Sequence, residues 1–170
     1  DRGAGIPDEH LPHVFERLYQ VRDDTALNPK TSYGVQKAIC ELLLSDYSRK
    51  GFIDGRGLRL PTISVRPGKP NKAASSFASG IIREPLNGVD TVCPVTADMH
   101  LLLMSPRQAV ECMIWAHDLG AEAFGQTHVI NLPGVTVTVG EMVEVLGKIA
   151  GPGATRKIHW EADPAVQRII

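Results

Sequence analysis

The sequence is short of several things at once. Its 170 residues include three cysteines, Cys40, Cys93 and Cys112, spread far apart. An odd, scattered set offers no paired metal-ligand spacing and argues against a disulfide framework. Aromatic residues make up 5% of the chain. The stretch "GRGLR" is basic, but no aromatic residues interleave with it, so a nucleic-acid role is not expected. The formal net charge of -1 gives no electrostatic footprint for such a partner either. No apolar run reaches the roughly 18 residues of a membrane-spanning helix. The first residues are charged and glycine-rich, without a secretory leader pattern. The expectation is a cytoplasmic protein with neither a nucleic-acid nor a membrane partner. The first residue is Asp1 and not a methionine, which raises the expectation of a fragment.

What is present is ordinary for a globular domain: 43% hydrophobic and 22% charged residues, enough to build and solubilise a core. Residues 1–30 differ from the rest, being glycine-rich and then charged and amphipathic. Beyond them, Ile39, Leu42, Leu43 and Tyr47 recur at helical spacing and predict a helix over residues 36–49, with Gly51 as its C-cap. "LRLPTISVRPG" alternates and is β-branched, predicting one strand over residues 58–65. A short helix is expected over residues 75–84, and a strand at "TVCPV". "SPRQAVECMIWAHDLG" has a serine cap, a proline in the first turn, apolar spacing and a closing glycine. His117 and Asp118 would end that helix, where a cation favours the dipole. "HVINLPG" reads as a strand. "TVGEMVEVLGKIAG" reads as a helix begun near Thr138 or Gly140 and stopped by Gly151, and "ATRKIHW" as a last strand. "MHLLLM" reads as buried core, and Trp115 and Trp160 as packing residues. Helix and strand alternate from residue 31 onward, which is an α/β order.

The stretch "TSYGVQKAICE" holds the residues with chemistry to offer. On a helix, positions i and i+4 share a face, so Tyr33 and Lys37 can converge. A free phenol ionises near ~10 and must be made more acidic to exchange a proton with a substrate hydroxyl at neutral pH. A neighbouring ammonium favours the phenolate and supplies that shift. The alternative for so short a pattern is a boundary tyrosine beside a solvated lysine. His10 and His13 sit at i and i+3 with Pro12 between them and no third ligand. They read as a solvated pair and not as a metal site.

Several longer stretches narrow the choice. "SYGVQKAICELLL", "RLPTISVRPGKPNKAAS", "IIREPLNG", "MSPRQAVE" and "LPGVTVTVGEM" together resemble the extended short-chain dehydrogenase/reductase family, also called the NAD-dependent epimerase/dehydratase family. The likeness spans roughly residues 23–170. It implies an oxidoreductase that uses NAD on a hydroxyl of a small sugar acid. It makes Tyr33 the general base in oxidation, with Lys37 lowering its pKa and holding the nicotinamide ribose. It puts Pro61, Thr62 and Ile63 beside the nicotinamide, and Asn71 at the start of the substrate side. Arg83 and Arg107 become candidates for a substrate carboxylate, which a guanidinium fork matches. A surface or domain-bridging ion pair stays open for each arginine. Family members pair through helices that include the YxxxK helix, so exposed Ile39, Leu42 and Leu43 would drive a homodimer.

Two parts of the family pattern are missing. The triad hydroxyl should lie well upstream of the tyrosine, yet residues 9–13 contain none, and Thr31 and Ser32 are too close in sequence. The glycine-rich dinucleotide fingerprint, which places a pyrophosphate on a helix N-terminus, is absent. "DRGAG" follows no predicted strand and lacks the third glycine. The choice between NAD and NADP therefore stays open. The expected fold is α/β: the C-terminal half of a doubly wound, Rossmann-like sheet plus a small α/β substrate-binding lobe, with the nucleotide-binding N-terminal half missing. The opening "DRGAGIPDEHLPHVFERLYQ" resembles instead the ATP-binding domain of sensor histidine kinases, through Asp1, Gly3, Gly5, Phe15, Glu16 and Arg17. Residues 1–22 are thus expected to be an unrelated or divergent segment, and 23–170 the dehydrogenase-like part. Two other readings stand beside the enzyme. One is a catalytically silent fragment or chimera acting as a partner-binding module. The other is an ATP-binding kinase remnant.

Overall fold

The computed structural model describes residues 29, 31–69, 73–125, 128–168 and 170. The kinase-like segment, the His10–His13 pair and Asn71 lie outside the described residues. The chain divides into two compact units, Asp1–Leu60 with Val110–Pro133, and Pro61–Ala109 with Gly134–Ile170.

In the first unit, helix α1 occupies Ser32–Arg49. It starts a turn earlier than residue 36 because Thr31 caps it. The Thr31 hydroxyl accepts from the Gly34 N–H at 3.1 Å, satisfying a donor the helix cannot use itself. The far end closes as a Schellman motif. Gly51 adopts φ +72°, its N–H donates to Ser48 O at 2.9 Å, and the Phe52 N–H donates to Tyr47 O at 3.0 Å. The Tyr47 and Phe52 rings meet edge to face across this turn, with centroids 5.7 Å apart. So Gly51 serves at the helix end as expected. Strand β1 (Gly57–Arg59) pairs in parallel with β5 (Val129–Asn131), Leu58 lying opposite Ile130. Leu44 of α1 packs against the start of β1, where a Cβ on Gly55 would come within 2.5 Å of its Cδ1.

The second unit carries most of the buried apolar side chains. Its core is built from Phe77, Ala78 and Ile81 of α2 (Phe77–Leu86), Cys93 of β3 (Thr91–Cys93), Leu101 of β4 (His100–Met104), and Val139, Met142 and Leu146 of α4 (Val139–Ala150). Strand β2 (Thr62–Ile63) runs parallel to β4, and β4 runs antiparallel to β6 (Val135–Thr138), Leu103 facing Val135. Strand β3 pairs in parallel with β7 (Ile158–Trp160). Helix α3 (Pro106–Asp118) bridges the sequence between the units. Its predicted cap is present: the Gln108 N–H donates to Ser105 Oγ at 3.1 Å. Two short helices, α5 (Pro152–Thr155) and α6 (Pro164–Gln167), flank β7.

Several sequence expectations change. The single strand over residues 58–65 is two, β1 and β2, in different sheets, because Pro61 interrupts the ladder. "MHLLLM" is a strand as well as core: Leu101 and Met104 are buried, but Leu102 is exposed. The strand β6 was not foreseen. Trp160, expected as a packing residue, is 44% exposed at the end of β7. No helix among the described residues is long and apolar enough to cross a membrane.

Helix α4 begins with a capping box. Glu141 N–H donates to Thr138 Oγ1 at 3.1 Å, and the Thr138 N–H donates to Glu141 Oε2 at 2.6 Å. The backbone N–H of Thr138, then its hydroxyl, hold the Glu141 carboxyl below its ordinary value of 4.5. A lowered carboxyl stabilises the fold fully above the unfolded value and stops doing so as the pH falls through the folded one. Thus Glu141→Gln should flatten the loss of stability on the acid side of pH 4.5, as read by urea unfolding at several pH values. At the other cap, Thr31→Ala should cost about 1 kcal/mol in the same assay and lower the helical signal of the chain.

Candidate functional site

The Thr31 cap sets the first turn of α1, and that turn presents the tyrosine. Tyr33 is 69% exposed, and Lys37, one turn on, is exposed as well. The Lys37 ammonium lies over the Tyr33 ring, with Nζ 5.3 Å from its centroid, a cation–π distance. The i, i+4 spacing therefore brings the pair together. Thr31 Oγ1 is occupied as the helix cap, which takes it further from a role as the missing triad hydroxyl.

The face extends one more turn. Glu41, at i+8 from Tyr33, receives a bidentate fork from Arg59 of β1. Arg59 Nε donates to Oε1 at 2.8 Å and Nη2 donates to Oε2. Hydrogen bonding to Glu41 raises the Arg59 pKa further above its already high value. Sequence reasoning missed this pair. It is an interaction across 18 positions, between a helix and a strand, and no local spacing reports it.

The remaining candidates lie in the second unit. Pro61, Thr62 and Ile63 are half-buried around β2, with Thr62 opposite Leu103 and Ile63 opposite Met104. The loop after β2 is tied to α2: Ser64 Oγ donates to Ala78 O at 2.8 Å, and the Arg66 N–H donates to Ser79 Oγ at 3.0 Å. Arg83 continues this lacing. Its Nη1 donates to Arg66 O at 2.7 Å, and its Nε donates to Glu84 Oε1 at 2.9 Å, joined by Nη2. At least three of its five N–H groups are thereby engaged by partners in its own unit, so its ion pair is local and neither a surface nor a domain-bridging one. Arg107 sits exposed in the first turn of α3.

Among the described residues, no group of three His, Cys, Asp or Glu side chains gathers to hold a metal. Cys93 and Cys112 are buried, and burial pushes both thiols upward, away from thiolate chemistry. The phenol of Tyr33 and the ammonium of Lys37 are both accessible on α1.

No family model matches the chain. The D-erythronate dehydrogenase of Cupriavidus necator is 59% identical over 150 residues, covering 88% of this chain and 46% of its own length. That of Haemophilus influenzae is 50% identical over 150 residues, covering 88% of this chain and 48% of its own. The chain therefore spans about half the length of these relatives. The crystal structure of a nucleoside-diphosphate-sugar epimerase from Agrobacterium tumefaciens superposes with a TM-score of 0.79 at 50% identity, covering 86% of this chain and 43% of that one. A partial match joins 79 residues, 46% of this chain, to the sensor histidine kinase YkoH of Bacillus subtilis at 35% identity, over 15% of that protein. The chain is an α/β relative of the extended short-chain dehydrogenases/reductases, the NAD-dependent epimerase/dehydratase family, and is similar within it to the D-erythronate dehydrogenases.

Proposed function

We propose that this chain is the catalytic-helix and substrate-binding part of an NAD-dependent oxidoreductase that oxidises a hydroxyl of a small sugar acid such as D-erythronate. One observation carries the reading: Tyr33 and Lys37 converge on an exposed turn of α1 in a chain 59% identical to a D-erythronate dehydrogenase. On this reading the fold is the C-terminal half of a doubly wound sheet with a small substrate lobe. Residues 23–170 carry it, and residues 1–22 are a separate kinase-like segment.

The chain's residues fit one end of the dinucleotide. The accessible ammonium of Lys37 can donate to ribose hydroxyls, and the phenol of Tyr33 stands beside it. No strand-to-helix turn among the described residues carries the three glycines that seat a pyrophosphate. NAD, when bound, supplies the acceptor for the hydride leaving the substrate carbon. Tyr33, as phenolate, removes the proton from the hydroxyl on that carbon, and Lys37 steadies the phenolate charge. The same proposal assigns cofactor contacts to Pro61, Thr62 and Ile63 and substrate contacts to Asn71 and Arg107. Arg83 contributes at most the N–H groups left over from Glu84 and Arg66.

A second reading has its own support. Ile39, Leu42 and Leu43 are 51%, 65% and 55% exposed along α1, so the chain could serve as a folded, catalytically silent binding module. Titration with NADH, followed by cofactor fluorescence, separates the two. Saturable binding supports the dehydrogenase, and none up to millimolar concentration supports the module. In a version with the full length of the relatives, Tyr33→Phe should lower D-erythronate oxidation at least about 100-fold, and retained turnover would sink the assignment of Tyr33.

The same apolar row is proposed to bury itself against a second copy of the chain. Sedimentation should find a dimer that Leu42→Lys converts to monomer, and a wild-type monomer at high concentration would rule the dimer out.

A further inference from the structure

We infer that Arg59 is a positioning residue that keeps the Glu41 carboxylate away from Lys37, so that the lysine ammonium remains with Tyr33. The inference rests on the dehydrogenase reading for its catalytic meaning, but its physical content is a competition on one helix face.

Tyr33, Lys37 and Glu41 follow one another at i, i+4 and i+8 on α1. Residues so spaced stand one above the other on the helix surface. Lys37 therefore has two possible neighbours: the ring of Tyr33 a turn before it and the carboxylate of Glu41 a turn after it. A lysine pairs with a carboxylate four residues away on an isolated helix, and such a pair draws the ammonium toward it. In this structure the ammonium lies 5.3 Å from the Tyr33 ring centroid. Both Glu41 oxygens instead accept from Arg59 of β1. The planar arginine fork outcompetes a single ammonium because it satisfies both oxygens at once.

Among the described residues, the other charged groups around α1 leave this competition to these four residues. Asp46 is held by Arg49 and Lys50 at 2.6 and 2.7 Å. Before β1, Arg56 engages Asp54 and the Leu119 carbonyl. At the start of β5, His128 Nδ1 meets Gly55 O at 3.2 Å. Cys40 is the other titratable side chain near this part of the helix, and it is exposed. Releasing Glu41 would thus put a negative charge one turn from Lys37, with no other cation among the described residues assigned to take it. Both effects, the new carboxylate and the displaced ammonium, oppose a phenolate at Tyr33.

The test is an alkaline ultraviolet difference titration of this chain, with Tyr33→Phe as the blank that isolates the Tyr33 signal. It needs neither cofactor nor substrate, so its outcome is independent of whether the chain binds NADH. Arg59→Gln should move the Tyr33 profile to higher pH by about 0.3 unit, the size of an i, i+4 ion pair. Arg59→Gln combined with Glu41→Gln should bring it back to the wild-type position, because the competitor is gone. Arg59→Lys leaves Glu41 a single ammonium in place of the fork, so it should move the profile in the same direction by less, and this reading serves where Arg59→Gln unfolds. A profile unchanged in Arg59→Gln overturns the inference. So does a double variant displaced as far as the single one, since that is the behaviour of a merely structural clamp.

Discussion

Pro61 has no backbone N–H to donate, and its ring fixes φ near about −65°. A strand can pass its residue into a sheet only by giving up a ladder bond there. The chain responds by changing partners. Before Pro61, Arg59 O accepts from the Leu132 N–H at 2.9 Å alongside β5; after it, the Ser64 N–H donates to Met104 O at 3.0 Å alongside β4. The division between the two compact units falls at this residue; the chain returns to the first unit at Ala109–Val110 and leaves it again at Pro133–Gly134. Gly134 is constrained in its turn, since a Cβ there would lie 2.8 Å from Leu103 O. The site candidates are distributed accordingly, Tyr33 and Lys37 in one unit, Pro61, Thr62, Ile63, Arg83 and Arg107 in the other.

The helices were readable because their signals are local. A serine or threonine cap, an apolar row at three- and four-residue spacing and a terminal glycine all lie within a few turns, and α3 and α4 showed all of them. The short strands were harder. "LRLPTISV" has the alternation of one strand, and only the donor missing at Pro61 splits it. "VTVT" is β-branched and alternating, but it abuts a helix cap and is four residues long, too short to register by pattern. It forms because β4 offers an antiparallel edge, with His100 facing Thr138. That offer is tertiary. "MHLLLM" supplies core as expected, but a continuous apolar run does not say which of its residues stays outside, here Leu102.

The candidate site divides along the same line. The meeting of Tyr33 and Lys37 is a property of the helix alone, so spacing foretold it. The roles of the arginines are not local. Arg83 is laced to the Arg66 carbonyl and to Glu84, an arrangement that depends on how the loop after β2 lies on α2. Arg59 carried no motif at all, yet it is the arginine that grips the helix bearing the tyrosine.

That grip matters because α1 has no buried residue. Its caps are worth about 1 kcal/mol each, and a partly exposed ion pair such as Glu41–Arg59 adds about 0–1 kcal/mol. Full burial of an aliphatic side chain is worth about 1.5–3 kcal/mol, and Ile39, Leu42 and Leu43 each keep half or more of theirs unburied. The largest unspent stabilisation of α1 therefore lies on the apolar face that no described residue covers. The polar contacts are too weak to dominate its stability, but they are directional, and direction is what they supply. They fix which way the Tyr33–Lys37 face turns, while whatever covers the apolar row decides how firmly the helix is held there. On the proposed reading, a chemistry that needs Tyr33 and Lys37 together at one substrate would depend on both, on the direction set by the polar contacts and on the burial of the apolar row.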